Sequence, residues 1–340
     1  MSTIGLDIGG ANLKAAHTDG TVRLESFELW RRPKELPQVL GRLVGKMPPF
    51  DTLALTMTAE LCDCFDTKAD GVHAVLAAAE KALGKRRRSV PIRVWSTEGC
   101  FVSPKVARAA PLKVAASNWL ALATWAGRLC NQGPVILVDI GSTTSDIVPI
   151  RDGTPVPRGR TDLDRLATGE LIYAGVRRTP VSALVRTVAL DGRTFRLASE
   201  LFATAQDVYL LLGDLPEAPK NRDTADGRPA TKTHAACRLA RVLCADRTML
   251  RDKQISHIAQ QIAESQRREL LRALSEVESS LGERAEIVVT AGSGEFLARR
   301  MIERLHKPPR IDSIASRLNP MASQCACAHA VVVLEADAVN

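Results

Sequence analysis

Apolar and polar positions follow two rhythms along the first half of the chain. Short runs, apolar throughout or at every second residue, predict strands around Thr3 to Leu6, Leu13 to His17, Val22 to Leu29, Thr52 to Met57 and Arg93 to Ser96. Longer stretches at helical spacing predict helices around Leu36 to Lys46, Val72 to Leu83 and Ser117 to Leu129. Strands interleaved with helices call for an α/β layer fold. Gly133-Pro134 interrupts the pattern, so Cys130 to Pro134 reads as the crossing between two domains, 1–130 and 131–340, with the C-terminal helix free to pack back on the first. Further on, Ile255, Ile258, Ile262, Leu270, Leu274, Val277 and Leu281 form a helical stripe ended by Gly282. Glu286 to Thr290 reads as a buried strand. Leu215 to Thr233 is rich in Pro, Asp, Lys and Gly and reads as a long loop, the kind that serves as a lid or binding loop.

One local pattern occurs twice. Gly5-Leu6-Asp7-Ile8-Gly9-Gly10-Ala11-Asn12-Leu13-Lys14 and Val138-Asp139-Ile140-Gly141-Ser142-Thr143-Thr144-Ser145-Asp146 each end an apolar run, turn at glycine and resume a strand. Each then reaches a second turn, at Asp19-Gly20-Thr21 or Asp152-Gly153-Thr154. Taken singly, either copy is an ordinary β-hairpin; taken together they are an internal repeat, which reports architecture. Glycine lets backbone approach a phosphate, and turn N–H groups and hydroxyls bind its oxygens, while an Asp can hold Mg²⁺. The expected phosphate clamp therefore comprises Gly9, Gly10, Asn12, Lys14, Gly141, Ser142, Thr143, Thr144 and Asp146, with Asp7 and Asp139 as metal ligands. Ala291-Gly292-Ser293-Gly294 opens a later helix, and Gly292 and Gly294 join the set as an anion site at a helix N-terminus.

Composition narrows the partners. A net charge of +8 and a pI near 9.2 favour anions, but the basic residues are dispersed and aromatics are only 4%, which argues against a nucleic-acid stacking platform. Lys85-Arg86-Arg87-Arg88, the densest basic run, reads as a solvated loop. A hydrophobic content of 45% and a mean hydropathy of −0.04, with no stretch long enough to span a bilayer and no secretory leader, fit a cytoplasmic globular enzyme with no membrane partner. Its eight cysteines are then expected to be reduced, and the two Cys-x-Cys pairs do not have zinc-knuckle spacing. The six histidines show no ligand-like pairing.

Two hairpins in two α/β halves and a late glycine turn resemble the actin/hexokinase ATPase superfamily, a ribonuclease H-like, duplicated two-domain fold with a central cleft. A narrower resemblance rests on Thr56-Met57-Thr58-Ala59-Glu60-Leu61-Cys62-Asp63-Cys64-Phe65 followed by Thr67-Lys68 and Gly71-Val72. Ala116-Ser117-Asn118-Trp119, Gly159 to Leu163, Gly169 to Tyr173, Arg178-Thr179-Pro180, Glu200 to Thr204 and Asp223 to Arg228 extend it. Together these segments resemble the hydantoinase/oxoprolinase-like family linked to tetrahydromethanopterin C1 metabolism, the (aminomethyl)furan-phenol ether synthases of methanofuran biosynthesis. The resemblance implies that an aminomethylfuran-methyl diphosphate is joined to the phenol of a glutamyl-tyramine or tyrosine-type acceptor, releasing pyrophosphate. Magnesium is then the expected cofactor, ATP is not required, and a homo-oligomer is compatible with the pattern.

For that chemistry the residues divide into roles. Asp7 and Asp139 stabilise the leaving group. A phenol of pKa near 10 benefits from a base, and Glu60 and Asp63 are candidates because they follow a strand whose end faces the cleft of an open sheet. Asp162 and Asp146 stand in reserve. Arg160, Arg177 and Lys68 match a carboxylate or diphosphate, with Thr58, Thr161 and Asp162 beside them; Asn118 either touches the aminomethyl end or caps its own helix, and Ser117 caps the helix or binds substrate. Two other classes stay open on the residues alone: an ATP-dependent small-molecule kinase and a non-catalytic nucleotide-binding scaffold.

Overall fold

The computed structural model describes residues 2–84 and 89–338, so the basic run Lys85 to Arg88 lies outside the described residues. Two mixed sheets carry the architecture. The first has the order β3 (Val22–Ser26), β2 (Asn12–His17), β1 (Thr3–Ile8), β4 (Thr52–Met57), β5 (Ile92–Trp95), β6 (Phe101–Val102). The second runs β10 (Leu171–Ile172), β8 (Ser145–Arg151), β7 (Pro134–Ile140), β13 (Ile287–Ala291), β14 (Arg310–Ser313), with β9 (Thr154–Pro155) on β8. A separate hairpin joins β11 (Thr187–Leu190) to β12 (Arg193–Arg196).

The repeat in sequence is a repeat in space. β1 and β2 pair antiparallel, as do β7 and β8, and each leading strand also pairs in parallel with a later one, β4 or β13. Registers correspond: Asp7 faces Lys14 across the first hairpin, and Asp139 faces Asp146 across the second.

Strand parity then directs the side chains. In β1, Ile4, Leu6 and Ile8 enter the core of the first half, so Gly5 and Asp7 lie on the opposite face. In β7, Ile136, Val138 and Ile140 enter the core of the second half, while Val135 and Leu137 join a third cluster that also holds Ala54, Trp119 and Ala330. This third cluster lies between the sheets and is built on the helices Asn118–Leu129 and Ala326–Ala338. Asp7 and Asp139 thus sit at the C-terminal ends of the leading strands, on the faces the two sheets turn toward this middle layer. Gly5 makes the layer possible, since a Cβ there would collide with the Ala328 carbonyl of the C-terminal helix.

Several expected elements shift by a few residues. The helix expected from Val72 begins at Lys68, because the Thr67 side chain caps it through the Asp70 N–H. The segment from Leu215 to Thr233 has no helix or strand before its last two residues, and it is tied down away from the central cavity. Asp226 within it binds the buried Arg238 at 2.9 Å and Arg241 at 3.2 Å, an Ala218–Ala230 bridge closes its base, and none of its residues lines the central cavity. Among the described residues, no helix is long and apolar enough to cross a membrane.

Candidate active site

A cavity of about 520 Å³ opens where the ends of β1, β4 and β7 meet. Both hairpin turns form its walls: Gly9, Gly10 and Asn12 from one side, Gly141, Ser142, Thr143 and Thr144 from the other. Each turn is closed by one backbone hydrogen bond, Gly9 N–H to Asn12 O at 3.0 Å and Gly141 N–H to Thr144 O at 2.8 Å. Gly175 buttresses the second, because its bare Cα packs on the Ser142–Thr143 peptide where a Cβ would clash.

The floor is a charged triangle. Lys14 Nζ binds Asp7 Oδ2 at 3.1 Å, and Asp139 lies near enough that its charge acts on both. Burial pulls the Lys14 ammonium down, but Asp7 above all, with Cys327 and Asp139, more than offsets this and holds it above the usual lysine range. Burial and the neighbouring Asp146 push the Asp139 carboxyl up to about 7, against the pull of Lys14. Asp7 Oδ1 is buried with no hydrogen-bond partner among the described residues. Such an oxygen, on a residue that lines a cavity beside a second carboxylate, fits a hard divalent cation. No cluster of three or more His, Cys, Asp or Glu ligands occurs among the described residues, so a cation held by these two carboxylates would need its remaining ligands from substrate and water. That is the usual manner of Mg²⁺.

Glu60 forms the second reactive feature. It is only 1% exposed, lines the cavity just past β4, and its Oε2 has no partner among the described residues. Burial pushes its carboxyl up to about 7, while its own N–H, Lys68 and the Ala116 N–H pull the other way. Lys68 Nζ stands 3.9 Å from Glu60 Oε1 and 2.9 Å from Asp162 Oδ2. Asp63 also lines the cavity but is exposed to solvent. Of the two base candidates, the burial argument favours Glu60.

Not every expected residue arrives. Thr58, Asn118, Asp146 and Asp162 line the cavity, whereas Gly292 and Gly294 do not. Their turn packs against the end of β7, where a Cβ would meet Asp139, Ile140 and Val176. The N-terminus of the following helix, Glu295–Glu303, already has an anion, the Glu295 carboxylate, which accepts from Thr290 at 2.9 Å and from Ser323 at 3.0 Å. Ser117 is buried and bonded to Thr56 and the Trp95 carbonyl, Thr161 caps the helix Asp162–Thr168, and Arg160 reaches the Thr97 carbonyl outside the cavity. Arg177 turns away to Gln206 at 3.1 Å. Asp146 is committed to the buried Arg165 at 2.9 Å, which removes it from the reserve of bases.

Arg165, Trp119, Trp30, Tyr173, Leu166 and Arg178 line the cavity without having been singled out as site residues. Arg165 lies 4.0 Å over the Trp119 ring. A sequence signal existed for it, since Thr161-x-x-Asp164 is a capping box and places Arg165 one turn into a helix. Leu61, Leu166 and Tyr173 are exposed at the mouth and give it an apolar edge.

Two hairpin-led sheets that bring paired carboxylates to a shared cleft define the actin-like ATPase fold, α/β and duplicated. Nucleotide-free acetone carboxylase shares it, with a TM-score of 0.58 at 12% identity over 96% of this chain and 70% of that one. The chain belongs to the hydantoinase/oxoprolinase family, whose model matches residues 51–335. It is 36% identical over 307 residues, 88% of each protein, to the (4-{4-[2-(gamma-L-glutamylamino)ethyl]phenoxymethyl}furan-2-yl)methanamine synthase of Methanocaldococcus jannaschii. It is also 33% identical over 180 residues, 53% of this chain and 80% of the relative, to the synthase of the same name from Methanococcus vannielii.

Proposed function

We propose that the chain is a transferase that forms an aryl ether by displacing diphosphate, as in biosynthesis of a furan-type C1 cofactor. The observation that carries this reading is the meeting, in one cavity, of two phosphate-type turns with a buried carboxyl, Glu60, that burial makes more basic than an ordinary glutamate. The relatives' name describes a product in which a furan methylene is bonded to a phenol oxygen, and this chain would make the same bond.

In the reaction, the phenol oxygen attacks the furanylmethyl carbon, whose bond to the diphosphate oxygen breaks with its electron pair leaving on the diphosphate. Glu60 takes the phenol proton. Lys14 and the turn N–H groups meet the charge that grows on the leaving oxygens, a contact that strengthens toward the transition state. Asp7 and Asp139 would hold Mg²⁺, which supplies further positive charge there. Leu61, Leu166 and Tyr173 offer the aromatic acceptor an apolar seat, and Lys68, tied to Asp162, orients Glu60.

Purified protein incubated with an aminomethylfuran-methyl diphosphate, glutamyl-tyramine and Mg²⁺ should yield the ether by mass spectrometry, with stoichiometric pyrophosphate and none in the presence of EDTA. Strict dependence on ATP with release of ADP would overturn this reading in favour of a kinase.

A further inference from the structure

Six carboxylates line the cavity against three cations, Lys14, Arg165 and Arg178. Lys14 is committed to Asp7 and Arg165 to Asp146. The Arg178 guanidinium has no hydrogen-bonding or ionic partner among the described residues. Its Cζ lies over the Trp30 ring, 4.3 Å from the centroid. Trp30 belongs to the first half of the chain and Arg178 to the second, so the contact bridges the mouth.

The root of Arg178 is fixed as well. Its N–H donates to the Ser142 carbonyl at 2.9 Å, which ties it to the second hairpin turn. At its tip the guanidinium meets Trp30, whose chain neighbour Leu29 donates its N–H to the Gly10 carbonyl of the first turn at 2.9 Å. The side chain therefore reaches from one turn to the other. Stacking covers one face of a guanidinium and leaves its edge N–H groups free, the arrangement that suits two-pronged binding of a phosphate.

The geometry points to Arg178 as the residue that grips the diphosphate from the open side of the cavity, with Trp30 as the plate that holds it in place. This rests on the proposed function and adds to it the cation that a diphosphate needs among so many carboxylates. The competing ligand for an arginine is the carboxylate of the acceptor. Diphosphate is favoured because Arg178 is rooted on one phosphate-type turn and ends beside the other.

The test is calorimetric binding of inorganic pyrophosphate with Mg²⁺, alongside binding of glutamyl-tyramine. Arg178→Ala should weaken pyrophosphate about ten- to a hundredfold, the range of a charge-assisted hydrogen-bonded pair, and leave glutamyl-tyramine within about twofold. Arg178→Lys keeps the charge but loses the fork, and should recover only part of the affinity. Trp30→Leu should cost a few-fold through loss of the stack. Circular dichroism checks that each variant folds, and if Arg178→Ala does not, the Lys variant decides. Unchanged pyrophosphate affinity in Arg178→Ala, or a loss confined to glutamyl-tyramine, overturns the assignment while leaving the proposed function standing. A parent protein that does not bind pyrophosphate overturns both.

Discussion

A buried oxygen without a hydrogen-bond partner lowers stability by about 1–3 kcal/mol, and this chain keeps two in its cavity, Asp7 Oδ1 and Glu60 Oε2. The folded chain holds the Glu60 proton up to about 7, while an unfolded chain releases it near the ordinary 4.5. Between those limits the folded state binds more protons, so stability contributed here falls as pH rises through the window. Glu60→Gln should therefore be more stable than the parent at pH 8, by up to ~2 kcal/mol, and gain nothing at pH 4, as read from urea midpoints. Activity should move oppositely. Glu60 is pushed up to about 7, so the parent's log kcat/KM should fall on the acid side with a slope of about 1, and that limb should flatten in Glu60→Gln. Asp139→Asn keeps the shape of its strand end but removes the charge proposed to hold a metal, and should reduce kcat about 10²-fold or more with little change in melting. Turnover near the parent's would remove Asp139 from the clamp.

Elements set which way these groups point. A strand's period of two sends Leu6 and Ile8 into one core and Asp7 to the cleft, and it does the same with Val138, Ile140 and Asp139. The apolar alternation that builds each sheet thereby aims each carboxylate. Because the C-terminal helix lies directly on Gly5, Gly5→Ala should force the helix off β1 and destabilise the protein by about 1–3 kcal/mol, measured by urea denaturation. Gly45, at the end of the helix Leu36–Gly45 and with open space around it, is the control: Gly45→Ala should be neutral or slightly stabilising. The late glycine turn shows the limit of reading an element alone. Gly-x-Gly before a helix has the form of an anion site, but Glu295 supplies the anion from within the chain.

At the scale of the molecule, the cavity draws its walls from both halves, so a ligand that fills it links them. Pyrophosphate with Mg²⁺ should raise the melting temperature, with about 2.7 kcal/mol gained at a concentration of 100 Kd. EDTA should abolish most of the shift, because six lining carboxylates repel a bare diphosphate. A larger shift with Mg-ATP than with Mg-pyrophosphate in thermal denaturation would favour the kinase alternative.

Local periodicity was sufficient for the strands Thr52–Met57 and Pro134–Ile140, for the long helix Asp252–Leu281, and for the two hairpins, since each depends on residues close in the chain. The duplicated α/β fold followed from repetition of the hairpin, and so did the pairing of Asp7 with Asp139. Tertiary packing alone decided which neighbours those residues meet. Arg165 and Asp146 are 19 positions apart and Arg178 and Trp30 are 148 apart, and no spacing rule relates either pair. The contrast between Glu60 and Asp63 is of the same kind: of two carboxylates three residues apart, one is buried under the helix Lys68–Leu83 and Ala116, which pushes its carboxyl up, while the other faces water. Sequence carries the chemical groups and their local direction, but desolvation and charge pairing depend on distances that exist only after the chain has folded.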